Sequence, residues 1–238
     1  MSEARASARA TVTIIALPHG RASDTGKLKI LYMTEKVSAL TKATADSNPI
    51  RQFEKWLQEV RAKGVTEQDA ISMTLATATR YGLPSARIVL LKSFDDQGFV
   101  FYTNYDSRKG NELEENARAC LLFYWSVVWR QVRIEGAVER VSEAESDQYF
   151  HSRPLGSKIG AWASEQSAAI ENREQLEKRF EEFSWKFGDN VPRPTHWGGY
   201  RIKPETIEFW QGQDNRLHDR LRYSLQEDGA WLIERLAP

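Results

Sequence analysis

Cysteine and net charge are what this sequence most clearly lacks. The 238 residues include one cysteine, Cys120, so no disulfide can form within the chain. We therefore expect a reducing compartment, the cytoplasm, and interpret Cys120 as a core thiol. Lys and Arg total 33, as do Asp and Glu, which gives a formal net charge of +0. Because nucleic-acid binders depend on a basic excess, the composition disfavours a nucleic-acid partner.

Long apolar runs and glycine-rich phosphate loops are also absent from the sequence. No stretch approaches the roughly 20 apolar residues of a membrane-spanning helix, so we expect no membrane association. We also predict no metal site. No glycine-rich turn connects a strand to a helix, which disfavours a Rossmann dinucleotide fold. Any phosphate group that this chain binds must therefore be held by side chains.

What the sequence does contain is a series of segments rich in β-branched and aromatic residues, including eight Trp. Such segments predict strands at 71–79, 86–94, 99–104, 119–126, 130–140, 199–202, 206–210, 221–225 and 231–236. The connections between the early strands are short, which favours antiparallel neighbours. Helices are predicted at 107–117, from a capping box at Ser142, and at 172–187. These elements predict a mainly β, α+β fold, an antiparallel closed or nearly closed barrel with helices outside.

We divide the chain at residue 48. Asn48 is a predicted N-cap and Pro49 a predicted first helical residue, and the apolar spacing that follows predicts a helix ending at Gly64. Residues 48–238 then form one domain, and residues 1–47 form an N-terminal extension. The start of the extension has several Arg and few acidic residues. Its composition fits a disordered extension, which we favour, or an organelle-targeting segment.

The first cluster of candidate site residues is Arg87 and Lys92, in the segment SARIVLLK. Five residues separate them, so on a regular strand they face opposite sides. One interpretation is that they serve two different anions across a shared wall. The other is that both are solvated charges on a half-exposed strand, and spacing alone favours this second interpretation.

The second cluster is Tyr102 and Thr103, followed by Ser107, Arg108 and Lys109. A strand that runs into a helix N-terminus brings two cations, a hydroxyl and free backbone N–H groups to one place. Such a combination is a competent phosphate cradle. A Ser-capped helix with exposed charges explains the same residues equally well.

The third cluster is Tyr149, Arg153 and Ser157, which recur every four residues. On one helix they would align a phenol, a guanidinium and a hydroxyl, three donors suited to a phosphate dianion. Pro154 interrupts that helix, so a helix surface followed by a turn is the slightly favoured alternative.

The fourth cluster lies in the segment WQGQDNRLHDR, with Trp210, Arg216, His218 and Arg220. If Arg216 and His218 lie on a strand, they project from the same face. A cation and an imidazole that converge beside the flat wall of Trp210 would bind and polarise an anionic or phenolic ring. A single His is more often structural, but this density of Arg, His and Trp favours a site.

Taken together, these clusters resemble the pyridoxine 5′-phosphate oxidase family, also called the pyridoxamine-phosphate oxidase family. The resemblance runs in order from about Pro49 to the C-terminus. It is carried by SARIVLLK, TNYDSRKG, RQVRIEG, YFHSRP, SKIGAWASEQS and WQGQDNRLHDR. It implies a split-barrel fold, noncovalent FMN, and two sites formed between the subunits of a homodimer. The implied reaction oxidises pyridoxine or pyridoxamine 5′-phosphate to pyridoxal 5′-phosphate, with O₂ as electron acceptor and H₂O₂ as product.

The resemblance also implies roles for individual residues. The implied FMN-binding residues are Arg87, Ile88, Val89, Leu90, Tyr102, Thr103, Arg108, Lys109, Gln131, Gln166, Ser167, Trp210 and Arg220. The implied substrate-binding residues are Lys92, Tyr149, Arg153 and Ser157 for the phosphate, and Arg216, Leu217 and His218 near the ring. Arg216 and His218 are also the implied catalytic residues. In this interpretation Arg87 serves one ligand and Lys92 the other.

One segment departs from the family pattern. Family members often carry Arg-x-x-Tyr near the N-terminus, a pair that can close over the active site. The corresponding stretch here begins with Lys29 and ends with Tyr32, which puts a lid function in doubt. Two other functions stay open: a split-barrel flavin reductase that uses a nicotinamide, and a non-catalytic carrier of FMN or pyridoxal phosphate. The substrate-phosphate residues argue against the reductase, and Arg216 with His218 argues against the carrier.

Overall fold

The structure, a computed structural model, describes residues 39–238. The predictions for the targeting segment and for the Lys29–Tyr32 stretch lie outside these residues. Within them, the helices are α1 Pro49–Ala62, α2 Glu67–Ile71, α3 Arg108–Glu115, α4 Glu143–Ser152, α5 Leu155–Ala163 and α6 Arg173–Phe187. The strands are β1 Ser72–Ala78, β2 Pro84–Leu90, β3 Ser93–Asp95, β4 Gly98–Asn104, β5 Arg118–Trp125, β6 Arg130–Arg140, β7 Trp197–Gln211, β8 Asp219–Leu225 and β9 Trp231–Arg235.

All nine of these strands belong to one antiparallel sheet, and β7 is its organising strand. The sheet order is β2-β1-β5-β6-β7-β4-β3, with β8 paired to β7 and β9 paired to β8. Strand β7 pairs with β6 along its length, with β4 over its first half and with β8 over its second half. One long strand with different neighbours on its two halves lets the sheet curl around a core. The predicted antiparallel barrel-like fold with flanking helices is confirmed.

A bulge between Glu135 and Gly136 allows β7 to continue through a proline. Gly136 is opposite Pro204, which has no N–H to donate to the ladder. A Cβ on Gly136 would lie 1.8 Å from the Lys203 carbonyl oxygen, so only glycine permits this approach of the two backbones. The two strands predicted at 199–202 and 206–210 are therefore a single strand, and that part of the prediction was wrong.

Helix α1 fills one side of the core. The Asn48 side chain accepts hydrogen bonds from the backbone N–H groups of Ile50 and Arg51, and Pro49 begins the helix, as predicted. Phe53 is fully buried, and its ring lies 5.0 Å from that of Phe123 and 5.1 Å from that of Phe99. Edge-to-face and tilted rings at this distance pack densely and add attraction beyond the buried area.

The core also extends before the predicted start of the domain. Leu40 is buried in the same cluster, and its carbonyl accepts a hydrogen bond from Arg235. The division of the chain at residue 48 stays a prediction.

Two further local predictions were wrong. The strand predicted at 86–94 ends at Leu90, and a separate short strand starts at Ser93. Between them the Lys92 N–H bonds to the Val100 carbonyl, so the chain already turns toward β4 at this point. Helices α2 and α5 were not predicted, because α2 has only five residues and α5 follows Pro154 and contains Gly156 and Gly160. None of the helices described is long and apolar enough to cross a membrane.

Candidate active site

A cavity of about 1010 Å³ lies between β2, β4, the start of α3 and the junction of α4 with α5. It brings together most of the residues that the family resemblance had assigned. These are Arg87, Ile88, Val89, Leu90, Lys92, Tyr102, Thr103, Arg108, Lys109, Tyr149, Arg153, Ser157, Gln166 and Ser167. Residues far apart in sequence therefore form one concave, strongly cationic surface.

Lys109 is a buried cation in the wall of this cavity. Its side chain is on the first turn of α3, and its Nζ donates to Thr103 Oγ1 (3.2 Å), Ser107 Oγ (3.1 Å) and Gln166 Oε1 (2.9 Å). Burial and the nearby Arg87 lower the pKa of Lys109 to about 8, although Glu112 opposes this. No carboxylate among residues 39–238 pairs directly with Lys109. A buried ammonium held only by neutral groups is suited to receive an anion.

Glu112 connects the cations of this wall. Its carboxylate accepts hydrogen bonds from the hydroxyls of Thr77 and Ser85, both at 2.5 Å. It also pairs with Arg87 at 3.3 Å and with Arg108 at 2.9 Å. Burial alone would raise the pKa of Glu112, but these four donors outweigh burial and lower it to about 2. The carboxylate is therefore ionised at neutral pH and holds both guanidinium groups at the cavity.

Aromatic side chains and two more cations form the other part of the cavity. The ring of Tyr102 stacks on that of Tyr149 at 4.0 Å and on that of Trp197 at 5.5 Å. The Arg153 guanidinium lies over the Trp197 ring at 4.5 Å, and Lys92 Nζ is 5.9 Å from the centre of the Tyr149 ring. Flat rings of this kind position cations and bind planar ligands.

Arg153 has unused hydrogen-bonding capacity. Its Nη1 is buried and has no hydrogen-bond partner among residues 39–238. Burial also lowers its pKa, while Tyr149 opposes this. A buried N–H without an acceptor is costly, so this nitrogen fits a site where an anionic ligand supplies the acceptor.

One expectation about geometry was wrong, and one alternative is excluded, although the residues do converge. Arg87 and Lys92 were expected on opposite faces of one strand, but β2 ends at Leu90, so both line the same cavity. A single helix was considered for Tyr149, Arg153 and Ser157. Helix α4 ends before Arg153, which has extended backbone, and Ser157 lies in the next helix. The break aims all three into the cavity from two elements.

The remaining predicted residues lie elsewhere on the chain. Gln131, Trp210 and Arg220 line a separate cavity of about 280 Å³, and Leu217 and His218 line one of about 420 Å³ beside the C-terminus. Among residues 39–238 the structure therefore divides the predicted site into two groups. The first group surrounds the 1010 Å³ cavity, and the second lies on β6, β7, β8 and the turn before β8.

Arg216 and His218 would project from the same face only if both lay on a strand, and neither residue does. Arg216 lies in a short turn, Asp214–Arg216, with φ of 62°, and β8 starts only at Asp219. The Arg216 side chain forms no ion pair or hydrogen bond with other described residues. His218 Nδ1 accepts the backbone N–H of Gln213 at 3.1 Å, so a neutral His218 carries its proton on Nε2.

Two other members of the second group are already engaged within the chain. Arg220 donates through Nε and Nη2 to the two Glu208 oxygens at 2.8 and 3.1 Å, and through Nη1 to the Ala237 carbonyl at 2.8 Å. The Trp210 ring lies 4.6 Å from that of His218. These contacts hold Arg220 and Trp210 in place.

Sequence reasoning missed Glu112 and Trp197. Glu112 follows Arg108 by four residues on α3, which is a recognisable helical ion pair. Its partners Thr77 and Ser85, however, come from the β1–β2 hairpin, and no local signal links them to α3. Trp197 could have been suspected only as one of eight tryptophans. Its position beneath Arg153 is set by the pairing of β7 with β4.

The chemistry of the first group fits a phosphorylated flavin beside a second anion. The group offers a buried cation without a carboxylate, an orphaned guanidinium N–H and stacked rings in one cavity. Family models agree. The model for pyridoxamine 5′-phosphate oxidase matches residues 61–186, and that for the pyridoxine 5′-phosphate oxidase C-terminal dimerisation region matches residues 197–238. The chain belongs to the pyridoxamine 5′-phosphate oxidase family.

Individual relatives support the same assignment. Over 201 residues the chain is 57% identical to pyridoxine/pyridoxamine 5′-phosphate oxidase of Ralstonia pickettii, a match that covers 84% of this chain and 94% of the relative. Over 203 residues it is 55% identical to the protein of the same name from Trichormus variabilis, covering 85% and 94%.

Solved structures show the same fold. PhzG from Burkholderia lata, in complex with tetrahydrophenazine-1-carboxylic acid, matches with a TM-score of 0.78 and 34% identity, over 85% of this chain and 99% of that one. A pyridoxamine 5′-phosphate oxidase-related, FMN-binding protein from Nostoc punctiforme matches with a TM-score of 0.63. It is 13% identical and covers 78% of this chain and 97% of its own. The family and the fold predicted from sequence are both confirmed.

Proposed function

We propose that this oxidoreductase oxidises pyridoxine 5′-phosphate and pyridoxamine 5′-phosphate to pyridoxal 5′-phosphate, with O₂ as electron acceptor and H₂O₂ as product. Its role would be the formation and salvage of the active form of vitamin B6. The relatives named above carry this activity in their names. The proposal depends on one observation in the structure, which is that two clusters of cations line a single aromatic cavity. One cluster is Arg87, Arg108 and Lys109, and the other is Lys92 and Arg153.

Consecutive residues on β4 connect the two cation clusters. Thr103 contacts Lys109, which belongs to the cation cluster around Glu112. The preceding residue, Tyr102, stacks on Tyr149, whose ring faces Lys92. A cavity that offers one anion site on each side of a flat wall is suited to two phosphorylated ring compounds held in contact.

The cofactor is FMN. It would be held by Arg87, Arg108 and Lys109 at its phosphate, and by Gln166 and Ser167 nearby. Bound FMN would supply the redox chemistry, which is the transfer of two electrons from the substrate to O₂. The substrate loses two hydrogens in all. The alcohol becomes the aldehyde directly, whereas the amine needs one water and releases ammonia.

The side chains of this chain hold and polarise the substrate. Lys92, Tyr149, Arg153 and Ser157 would bind its phosphate. Burial first, then Glu145 and Tyr149, raise the pKa of Tyr102 to about 12, so its hydroxyl stays protonated and able to donate a hydrogen bond. Arg216 and His218 would contact the pyridine oxygen and stabilise the charge that it carries while hydride leaves the substrate carbon.

The working enzyme would be a homodimer in which each site takes residues from both subunits. Exposed apolar side chains support a protein partner on the β2–β5 side of the sheet. Ile88 (64% exposed), Tyr124 (58%) and Val127 (55%) line a common cavity of about 540 Å³. A second chain would bring its Arg216 and His218 to the 1010 Å³ cavity of the first, which would reunite the two groups. The match to a dimerisation region supports this arrangement.

Three other functions predict different behaviour. A nicotinamide-dependent flavin reductase has no use for Lys92, Tyr149, Arg153 and Ser157 as a second phosphate set. A carrier of FMN or pyridoxal phosphate would bind without turnover. A substrate like the ring carboxylate bound to PhzG would need fewer donors than this set provides.

Aerobic turnover of the purified protein tests the proposal. The full chain is loaded with FMN, its visible spectrum is recorded, and pyridoxine 5′-phosphate is added while peroxide and aldehyde are measured. We expect equal amounts of both products. A protein that cannot be reconstituted with FMN would defeat the proposal. A yellow protein that is inert toward both phosphorylated vitamers would favour the reductase, the carrier or a carboxylate substrate, which NADH and a phenazine carboxylic acid then distinguish.

A further inference from the structure

Glu112 is the residue of this cavity to which the proposed function gives no role. It is 4% exposed and cannot approach a ligand, because its two oxygens are already occupied by Thr77, Ser85, Arg87 and Arg108. Yet it contacts two of the three cations proposed for the FMN phosphate. A fully ionised carboxylate inside an anion-binding site needs an explanation, since it opposes the attraction for the ligand.

Geometry offers one explanation. Arg87 comes from β2 and Arg108 from the first turn of α3, and the two guanidinium groups would repel each other without a shared counter-ion. Glu112 binds Arg108 through Oε1 and Arg87 through Oε2. Arg108 uses only its Nε–H on Glu112 and keeps both Nη groups for a ligand. Arg87 donates from Nη1 and Nη2 to Leu75, Thr77, Ser85 and Glu112, and keeps its Nε–H.

Charge offers a second, independent argument. The three cations and Glu112 together leave two positive charges in excess, which matches a phosphate dianion. Glu112 is also the one group found to raise the pKa of Lys109, against burial and Arg87, which lower it. The other groups around the Lys109 ammonium are neutral, namely Thr103, Ser107 and Gln166. Without Glu112, Lys109 would lose its proton nearer to neutral pH.

We infer that Glu112 is a positioning residue for the FMN phosphate: it clamps Arg87 and Arg108 at the cavity. This inference rests on the proposed function, because it takes the anion bound there to be the phosphate of FMN. Glu112 acts through its neighbours and touches neither flavin nor substrate.

Flavin binding to the apoprotein tests this without any turnover. FMN and riboflavin, which lacks the phosphate, are titrated into the full-length apoprotein by flavin fluorescence between about pH 6.5 and about pH 9. For the wild type we expect tighter binding of FMN than of riboflavin. That preference should weaken as pH rises through about 8, because Lys109 then loses its proton.

Glu112→Gln should weaken FMN binding about tenfold or more at pH 8 and leave riboflavin binding nearly unchanged. The pH at which the FMN preference declines should also move below that of the wild type. Near pH 6.5 the loss should be smaller, because Lys109 is charged again and no carboxylate opposes the phosphate. Glu112→Asp should recover part of the affinity. Glu115→Gln, an exposed carboxylate on the same helix, is the matched control and should behave as wild type.

The outcomes separate the two ideas. If the wild type binds riboflavin as tightly as FMN, the proposed phosphate site is wrong and this inference with it. If the wild type prefers FMN and Glu112→Gln keeps that preference and its pH dependence, the proposed function stands and the inference is overturned. An equal loss of FMN and riboflavin affinity would show a merely structural role and would also overturn it. Should Glu112→Gln fail to fold, Glu112→Asp carries the test. Its shorter side chain should weaken the binding of FMN and leave the binding of riboflavin nearly unchanged.

Discussion

The Arg153 guanidinium lies 4.5 Å above the centre of the Trp197 ring, and its buried Nη1 has no acceptor among residues 39–238. The indole thus holds a desolvated cation in place, and the Nη1 group of that cation remains available to donate to a ligand. Helix α4 ends at this point and β7 begins at Trp197, so the contact joins two elements that are distant in sequence. It explains how a chain with no net charge presents a strong local anion site.

Replacing Trp197 should weaken substrate binding more than flavin binding. Trp197→Leu removes the ring beneath Arg153, and a cation–π contact of this kind corresponds to about a 2- to 30-fold rise in KM for pyridoxine 5′-phosphate. Trp197→Phe should retain part of the effect. Steady-state kinetics and an FMN titration measure the two affinities. Trp185→Leu is the matched control, because Trp185 is 93% exposed. An unchanged KM in Trp197→Leu would contradict the assignment of Arg153 to the substrate phosphate.

Replacing Arg216 should slow turnover without loss of flavin. Its side chain forms no ion pair or hydrogen bond with other described residues, so Arg216→Ala should fold and bind FMN normally. We expect kcat/KM to fall about a hundredfold, as for removal of one preorganised donor at a charged oxygen of the reacting ring. Arg51→Ala, at an exposed position on α1, serves as control. A flavin-replete Arg216→Ala enzyme with unchanged turnover and substrate affinity would eliminate this role.

Mixing two inactive variants should restore activity if each site takes residues from both subunits. Arg153→Ala damages the first group and Arg216→Ala the second. In a mixed dimer one site collects both substitutions and the other collects neither, so random exchange should restore about a quarter of the wild-type sites. Activity after subunit exchange or co-expression gives the readout. If the two groups belonged to one chain's site, mixing would restore nothing.

Glu112 should also make the folded state sensitive to acid. Its pKa is about 2 in the folded state, against 4.5 for an unperturbed Glu. Because the folded value is the lower one, the stabilisation is complete above the unfolded pKa and is lost as pH falls through the folded pKa. The shift corresponds to roughly 3 kcal/mol. Urea unfolding of the wild type and Glu112→Gln should differ most at neutral pH and converge toward pH 2. A gap that stays constant with pH would contradict this account.

Much of the fold follows from local sequence. The cap at Asn48, the helix at 172–187 and the strand from Arg130 to Arg140 were all predicted at or near their observed positions. They were predictable because each depends on side chains within a few residues. The continuous β7 was not, because Pro204 is tolerated only where Gly136 on another strand allows a bulge.

The sequence by itself therefore determined the fold class, the family and the candidate site residues, since these reside in local periodicity and in contiguous motifs. Tertiary structure alone decided which of those residues meet. It placed Arg87 and Lys92 in one cavity by ending β2 at Leu90, and it located Arg216 away from that cavity. It also placed Glu112 among the cations of that cavity. The physical reason is that charges and hydrogen bonds act over a few ångströms of space, and only the folded chain sets those distances.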